Sequence, residues 1–266
     1  MYKRQLLFRP AAQEPYARIR IPESYKIGNT YSILVFGLKA EDFEYAYQMD
    51  GPADQARGLL FNRKHTLLDP YAKAVTGQRN WGEKPEGGKD FVYKARVVQS
   101  DFDWGRYRNL NYKFEDLVIY EMHVRGFTKD ASSGVKGGGT FEGLRQKIPY
   151  LKDLGINAVE LMPIFEFDEM ESARVVDGVQ LYNYWGYNTV SFFAPNTSYA
   201  FHQEHNHEGD ELKRLIRELK ENGIEVILDV VFNHTAEGNE DGPCFCFKGI
   251  DNNTVSYTHL RAHETA

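Results

Sequence analysis

A chain of 266 residues with 42% hydrophobic content is long enough for one large domain or two ordinary ones. A net charge of −6 argues against the basic face that a nucleic-acid or anionic-membrane partner requires, and no apolar run nears the roughly 20 residues of a bilayer span. The opening MYKRQLLFRP has no apolar core of signal-peptide length, so a cytoplasmic location is expected.

Up to about residue 112 the pattern is β. Leu6–Arg9, Ala17–Ile21, Tyr31–Leu38 and Glu44–Met49 are short β-rich runs separated by turn clusters, which predicts a sandwich. The segment from Thr76 to Asp90, rich in Gly, Lys and Glu, reads as a surface loop. From Leu117 the pattern changes. Leu117–Met122 is a buried strand; Thr140–Leu154 is a helix with Phe141, Leu144, Ile148, Leu151 and Leu154 on one face, Thr140 as N-cap and Gly155 as C-cap. A second strand covers Ala158–Met162. Pro163 to Gly209 shows little periodicity but is packed with aromatics, which predicts an ordered functional excursion. A helix over Asp210–Asn222 and a third apolar strand over Ile224–Val231 complete a parallel α/β pattern. Gly-rich phosphate loops do not follow the strands, and polar residues cluster just past their ends, as on the catalytic face of a (β/α)8 barrel.

Several side chains invite a chemical role. Cys244 and Cys246 form a C-x-C pair that is too close for a disulfide and lacks a zinc-like second pair, so two reduced thiols in a loop are expected. His202, His205 and His207 share no metal-ligand spacing and read as a solvated loop. No metal and no cofactor is expected. The 17 Tyr and 17 Phe suit both a filled core and the stacking faces of a sugar site.

Five blocks, in order along the chain, resemble the α-amylase superfamily, glycoside hydrolase family thirteen, and within it the isoamylase-type debranching enzymes. They are Leu67–Ala74 with Asp101–Trp104, Tyr120–Thr128, Asn183–Asn188, Phe192–Pro195, and Asp229-Val230-Val231-Phe232-Asn233-His234. The resemblance implies a partial (β/α)8 TIM barrel, about strands one to three, over residues 113–254. An all-β immunoglobulin-like sandwich of the carbohydrate-binding kind would precede it over 1–112. It implies retaining hydrolysis of α-1,6 branch linkages in glycogen, amylopectin or limit dextrin by two carboxyl groups. The family's nucleophile and general acid lie on later barrel strands, so no catalytic residue is expected here. Tyr187 would stack on the glucose next to the scissile bond, His234 would hydrogen-bond its hydroxyls, and Asn233 and Asp229 would brace the strand end. Glu121, Glu160 and Asp168 have no catalytic role by the same precedent.

By the same comparison the chain reads as truncated at both ends, with the sandwich's opening strand missing. Residues 255–266, VSYTHLRAHETA, look like a non-native, adapter-derived tail. Pullulanases, branching enzymes and trehalose-releasing hydrolases are the alternatives inside the superfamily. A non-catalytic α-glucan-binding remnant, or an inert fragment, is the alternative outside it.

Overall fold

The computed structural model describes residues 2–83, 92–99, 101–106, 109–202, 207–239 and 241–255. In the N-terminal part, the strands are β1 (Tyr2–Phe8), β2 (Pro15–Ile21), the short pair β3 (Lys26–Ile27) and β4 (Thr30–Tyr31), β5 (Glu44–Asp50), and the short pair β6 (Ala53–Asp54) and β7 (Leu59–Leu60). β1 sits between β2 and β5 in one antiparallel sheet. Leu6, Phe8 and Ala46 form its apolar face. The strand expected over Tyr31–Leu38 is not formed beyond Tyr31, and Leu34 and Phe36 are 75% and 82% exposed. The position beside β5 is already taken: Leu67 bridges Tyr47 and Ala95 bridges Tyr45. A strand without a neighbour has no ladder to join.

A buried ion pair closes this part. Glu44 meets Lys94 at 3.1 Å and Arg96 at 3.4 Å, and Lys94 and Glu44 are both 1% exposed. Lys94 also donates to the Ala12 carbonyl at 2.6 Å, so its charge is doubly satisfied. Arg96 reaches on to Glu208 at 3.9 Å, which ties the sheet to a helix of the second part.

That second part runs β8 (Ile119–Met122), α1 (Val124–Thr128), α2 (Phe141–Arg145), α3 (Ile148–Leu154) and β9 (Ala158–Leu161). After them come β10 (Phe165–Phe167), β11 (Arg174–Val176), β12 (Val179–Leu181), β13 (Thr189–Pro195), α4 (His207–Glu221), β14 (Glu225–Leu228) and α5 (Phe247–Val255). β8, β9 and β14 form a parallel sheet in the order β14-β9-β8. The register pairs Glu160 with Glu121 on one side and Ile227 on the other, and Leu161 likewise with Met122 and Leu228. Met122, Val159 and Leu161 face the helices and pack with Leu144, Leu151, Leu215 and Leu219. By the period of two, Glu121, Glu160 and Ile227 project from the opposite face.

The helix expected over Thr140–Leu154 is two helices. Pro149 lacks the N–H that would bond the Arg145 carbonyl, and its ring collides with that carbonyl in a continuous helix. The chain therefore breaks at Lys147 and restarts with Pro149 in the first turn of α3. Both predicted caps are present: Gly143 N–H donates to Thr140 Oγ1 at 3.2 Å, and Gly155 takes φ +82°. The excursion after the second strand is also more regular than expected, with β10 paired to β13 and β11 to β12. The second turn carries Asp177 and Gly178 at φ +51° and +79°, a hairpin signal present in the sequence.

The segment from Thr76 is not all surface loop: Thr76 and Gln78 are buried, while residues 84–91 lie outside the described set. Leu68, Ala72, Val75 and Ala95 share a core with Val190, Ala194 and Cys246, so packing crosses the expected boundary at residue 112. Among the described residues, no helix is long and apolar enough to cross a membrane. Of the tail expected over 255–266, Val255 is the last residue of α5 and residues 256–266 lie outside the described residues.

Leu151 is fully buried in the helix–sheet core, so Leu151→Ala is expected to destabilise the chain by about 3 kcal/mol in urea unfolding. Leu34→Ala, at an exposed site, is expected to stay within about 0.5 kcal/mol.

Candidate functional site

The third strand delivers Asp229 to the end of the sheet. Its N–H still donates to Leu161 O at 3.0 Å, so it occupies the last ladder position before the chain leaves. The Tyr187 hydroxyl donates to Asp229 Oδ2 at 2.6 Å, joining residues 42 apart in sequence. That hydrogen bond, with the neighbouring carboxylate charge and partial burial, pushes the Tyr187 phenol up to about 12. The charges of Glu121 and Glu160 contribute the smallest part of that rise.

Tyr187 is positioned from behind by glycine and by rings. Gly186 has φ +82°, and a Cβ there would lie 2.6 Å from the Phe167 ring, so both backbone and space demand glycine. Two residues earlier, the Tyr184 carbonyl accepts from His123 Nε2 at 2.7 Å, while Gly126 N–H donates to His123 Nδ1 at 3.1 Å. The imidazole is thus neutral, with its proton on Nε2, and burial lowers its pKa in agreement. It stacks on the Tyr184 ring at 4.0 Å. Trp81 packs edge-on against His123, Phe167 and Tyr184 and stacks on Tyr199, with Arg125 over its face at 4.7 Å. The sequence gives no role to Trp81, or to His123 inside the Tyr120–Thr128 block; only their placement in space reveals that they hold the Tyr187 loop.

Asn233 and His234 lie beyond Asp229 and are exposed. His234 Nδ1 and Asn233 Oδ1 are 2.8 Å apart, so these side chains bond each other rather than the Tyr187–Asp229 pair. The segment is anchored by Ala236 N–H to Thr189 O at 3.1 Å and by Phe232 against Phe192 at 5.7 Å.

The remaining candidates have structural partners. Asp168 Oδ1 accepts from Gln78 Nε2 at 2.7 Å and from Met170 N–H at 2.8 Å. His202 Nδ1 contacts Glu211 at 3.0 Å; His205 and the His207 side chain lie outside the described residues. The expected pair of loop thiols divides: Cys246 is fully buried, its Sγ 3.4 Å from Leu68 O, while Cys244 is half-buried. Burial pushes the Cys244 thiol up to about 11 and the Cys246 thiol higher still.

Two buried carboxyl groups missed in the sequence support the whole excursion. Glu166 accepts from Thr197 N–H at 2.7 Å, and Glu169 accepts from Ser198 Oγ at 2.6 Å and Asn196 Nδ2 at 3.2 Å. Both are fully buried, and desolvation raises both pKa values, Glu169 to about 7 against the hydrogen bonds that oppose it.

Two measurements check these assignments. In Asp229→Asn, the phenol titrating near 12 is expected to fall toward 10, read by difference spectra against Tyr187→Phe. For Glu169, the folded chain keeps a proton that the unfolded chain releases near 4.5, so this stabilisation is present at low pH and lost as pH rises through about 7. Glu169→Gln is therefore expected to gain stability relative to the unsubstituted chain between pH 5 and 8, by roughly 3 kcal/mol at most.

The model for the alpha amylase catalytic domain matches residues 92–242. The chain is 41% identical over 239 residues to isoamylase 1 of Arabidopsis thaliana, a chloroplastic protein, covering 87% of this chain and 30% of that one. It is 37% identical over 251 residues to the glycogen debranching enzyme of Yersinia enterocolitica, covering 88% of this chain and 37% of the relative. It thus spans about a third of the length of these curated relatives. A pullulanase of Paenibacillus barengoltzii, solved with maltohexaose and alpha-cyclodextrin, superposes with a TM-score of 0.71 at 24% identity. The match covers 93% of this chain and 36% of that one, and it shows a shared fold that includes the barrel region. With the catalytic-domain model matching more than half of its residues, the chain belongs to the alpha-amylase family.

Proposed function

We propose that this chain forms one wall of the sugar site of a debranching glycoside hydrolase that cuts α-1,6 branch linkages in glycogen or starch with retention. The observation that carries it is the Tyr187–Asp229 hydrogen bond at the carboxyl end of the third parallel strand. In (β/α)8 enzymes that end of the strands is where substrate sits. Because the Tyr187 hydroxyl is committed to Asp229, its ring is fixed in orientation and its face is left to pack on the C–H groups of a pyranose. His234 and Asn233, exposed on the segment that follows Asp229, supply donors and acceptors for sugar hydroxyls. Asp229 is a positioning residue and contacts no sugar.

Retention needs a carboxylate that attacks the anomeric carbon and a carboxylic acid that protonates the leaving oxygen. We assign both to parts of the family's barrel outside this chain, which spans about a third of its relatives. Residues 113–254 then supply barrel strands one to three. The β2-β1-β5 sheet belongs, in this proposal, to an immunoglobulin-like sandwich that docks on glucan. The names of the relatives, an isoamylase and a glycogen debranching enzyme, support α-glucan as the partner. A cytoplasmic location is part of the proposal, beside a relative whose name places it in chloroplasts.

The gene from which the chain derives, read in full and expressed, is assayed on glycogen and on linear α-1,4-glucan. Release of linear maltooligosaccharides from glycogen alone is the expected result. His234→Ala is expected to lower kcat/KM at least tenfold, about 1.4 kcal/mol of transition-state stabilisation. Cleavage of the linear glucan with branch points left intact would overturn the proposal.

A further inference from the structure

Beyond Asp229 the chain runs as an irregular arm that carries Asn233 and His234. Its near end is held by the Asp229 N–H on Leu161 O, and its far end by the Ala236 N–H on Thr189 O at 3.1 Å. Directly after Ala236 comes Glu237, fully buried although Gly238 and Asn239 beside it are exposed. An acidic side chain is rarely buried unless its oxygens are satisfied.

Three backbone N–H groups satisfy this one. Phe245 and Cys246 both donate to Oε1 at 2.8 Å, and Lys248 donates to Oε2 at 3.0 Å, so the carboxylate gathers the turn that opens α5. The Lys248 side chain returns the grip. Its Nζ donates to Glu237 O at 2.6 Å, to Asn239 O, and to Gly242 O at 3.4 Å. A Cβ at Gly242 would collide with Glu237 O, so the loop closes this tightly only around glycine. An acid and a base thus each hold the other's main chain, which is a clasp rather than a single ion pair. The clasped turn is tied to the N-terminal part as well, where Leu68 N–H donates to Phe245 O at 2.6 Å.

An arm with neither ladder nor helix takes its position from its ends. We propose that Glu237 is a positioning residue for this arm: by clamping the turn before α5 it fixes where Asn233 and His234 stand. Glu237 is closed off from solvent and touches no sugar. This rests on the reading of His234 as a sugar-binding side chain and adds what holds it in place.

The test uses the enzyme expressed from the full gene, assayed on glycogen, and this chain, followed by NMR. Glu237→Gln keeps one acceptor oxygen for Phe245 and Cys246 but loses the one that serves Lys248 N–H. It is expected to lower kcat/KM about fivefold in the unsubstituted enzyme and less than about twofold in His234→Ala, because both act through one arm. Equal losses in the two backgrounds would overturn the proposal. In this chain, Glu237→Gln is expected to shift or broaden the imidazole resonances of His234. Those of buried His123 are expected to stay in place, which shows that the variant is folded. Lys248→Gln, which opens the clasp from its other side, is expected to move the same His234 resonances. Unmoved His234 signals in both variants would overturn the proposal. If the unsubstituted enzyme leaves glycogen uncut, the glucan reading fails, and the His234 resonances alone decide whether Glu237 positions the arm.

Discussion

Two carboxyl groups removed from water hold this molecule's site in place. The excursion between the second strand and α4 leaves the sheet and must return to it. It does so on Glu166 and Glu169, which bind the Asn196–Ser198 turn from inside the protein. A buried acid is tolerated only where it is hydrogen-bonded or neutral, and these are both partly bonded and raised in pKa. Gly77 comes so close that a Cβ would lie 2.1 Å from Glu166 Oε1, so the N-terminal segment is fitted against the same carboxyl. Gln78 then bonds both Asp168 and the Glu169 backbone, and Trp81 fills the space among His123, Phe167, Tyr184 and Tyr199.

Sequence, packing and site therefore connect through one loop. Tyr187 reaches Asp229 because Gly186 turns tightly over Phe167 and because His123 pins Tyr184. None of these supports touches the candidate sugar position. They set its geometry from behind, as rigid second contacts do in preorganised sites.

The parallel strands and amphipathic helices were legible because long-range packing agrees with local periodicity there: Leu144, Leu151, Leu215 and Leu219 repeat at helical spacing and all reach one core. Tyr187 and Asp229 were legible only through resemblance, since a lone tyrosine and a lone aspartate carry no spacing signal. The misses have separate physical causes. Pro149 cuts a helix whose apolar pattern runs straight through it. Tyr31–Leu38 has β character but finds its partner's edge occupied. Glu166, Glu169 and Trp81 lie in stretches that look polar or loop-like, and only tertiary contacts bury them.

The buried Cys246 gives the junction between the two parts a built-in clock. Its thiol lies in a core contributed by Leu68, Val75, Ala95, Val190 and Ala194, under a carbonyl from the N-terminal part. Only the thiolate reacts with alkylating reagents, and here burial disfavours it. Modification must then wait until the core around Cys246 opens, whereas half-buried Cys244 reacts ahead of it. The slower of two alkylation rates on one chain thus reports how often this shared core opens, without any substitution.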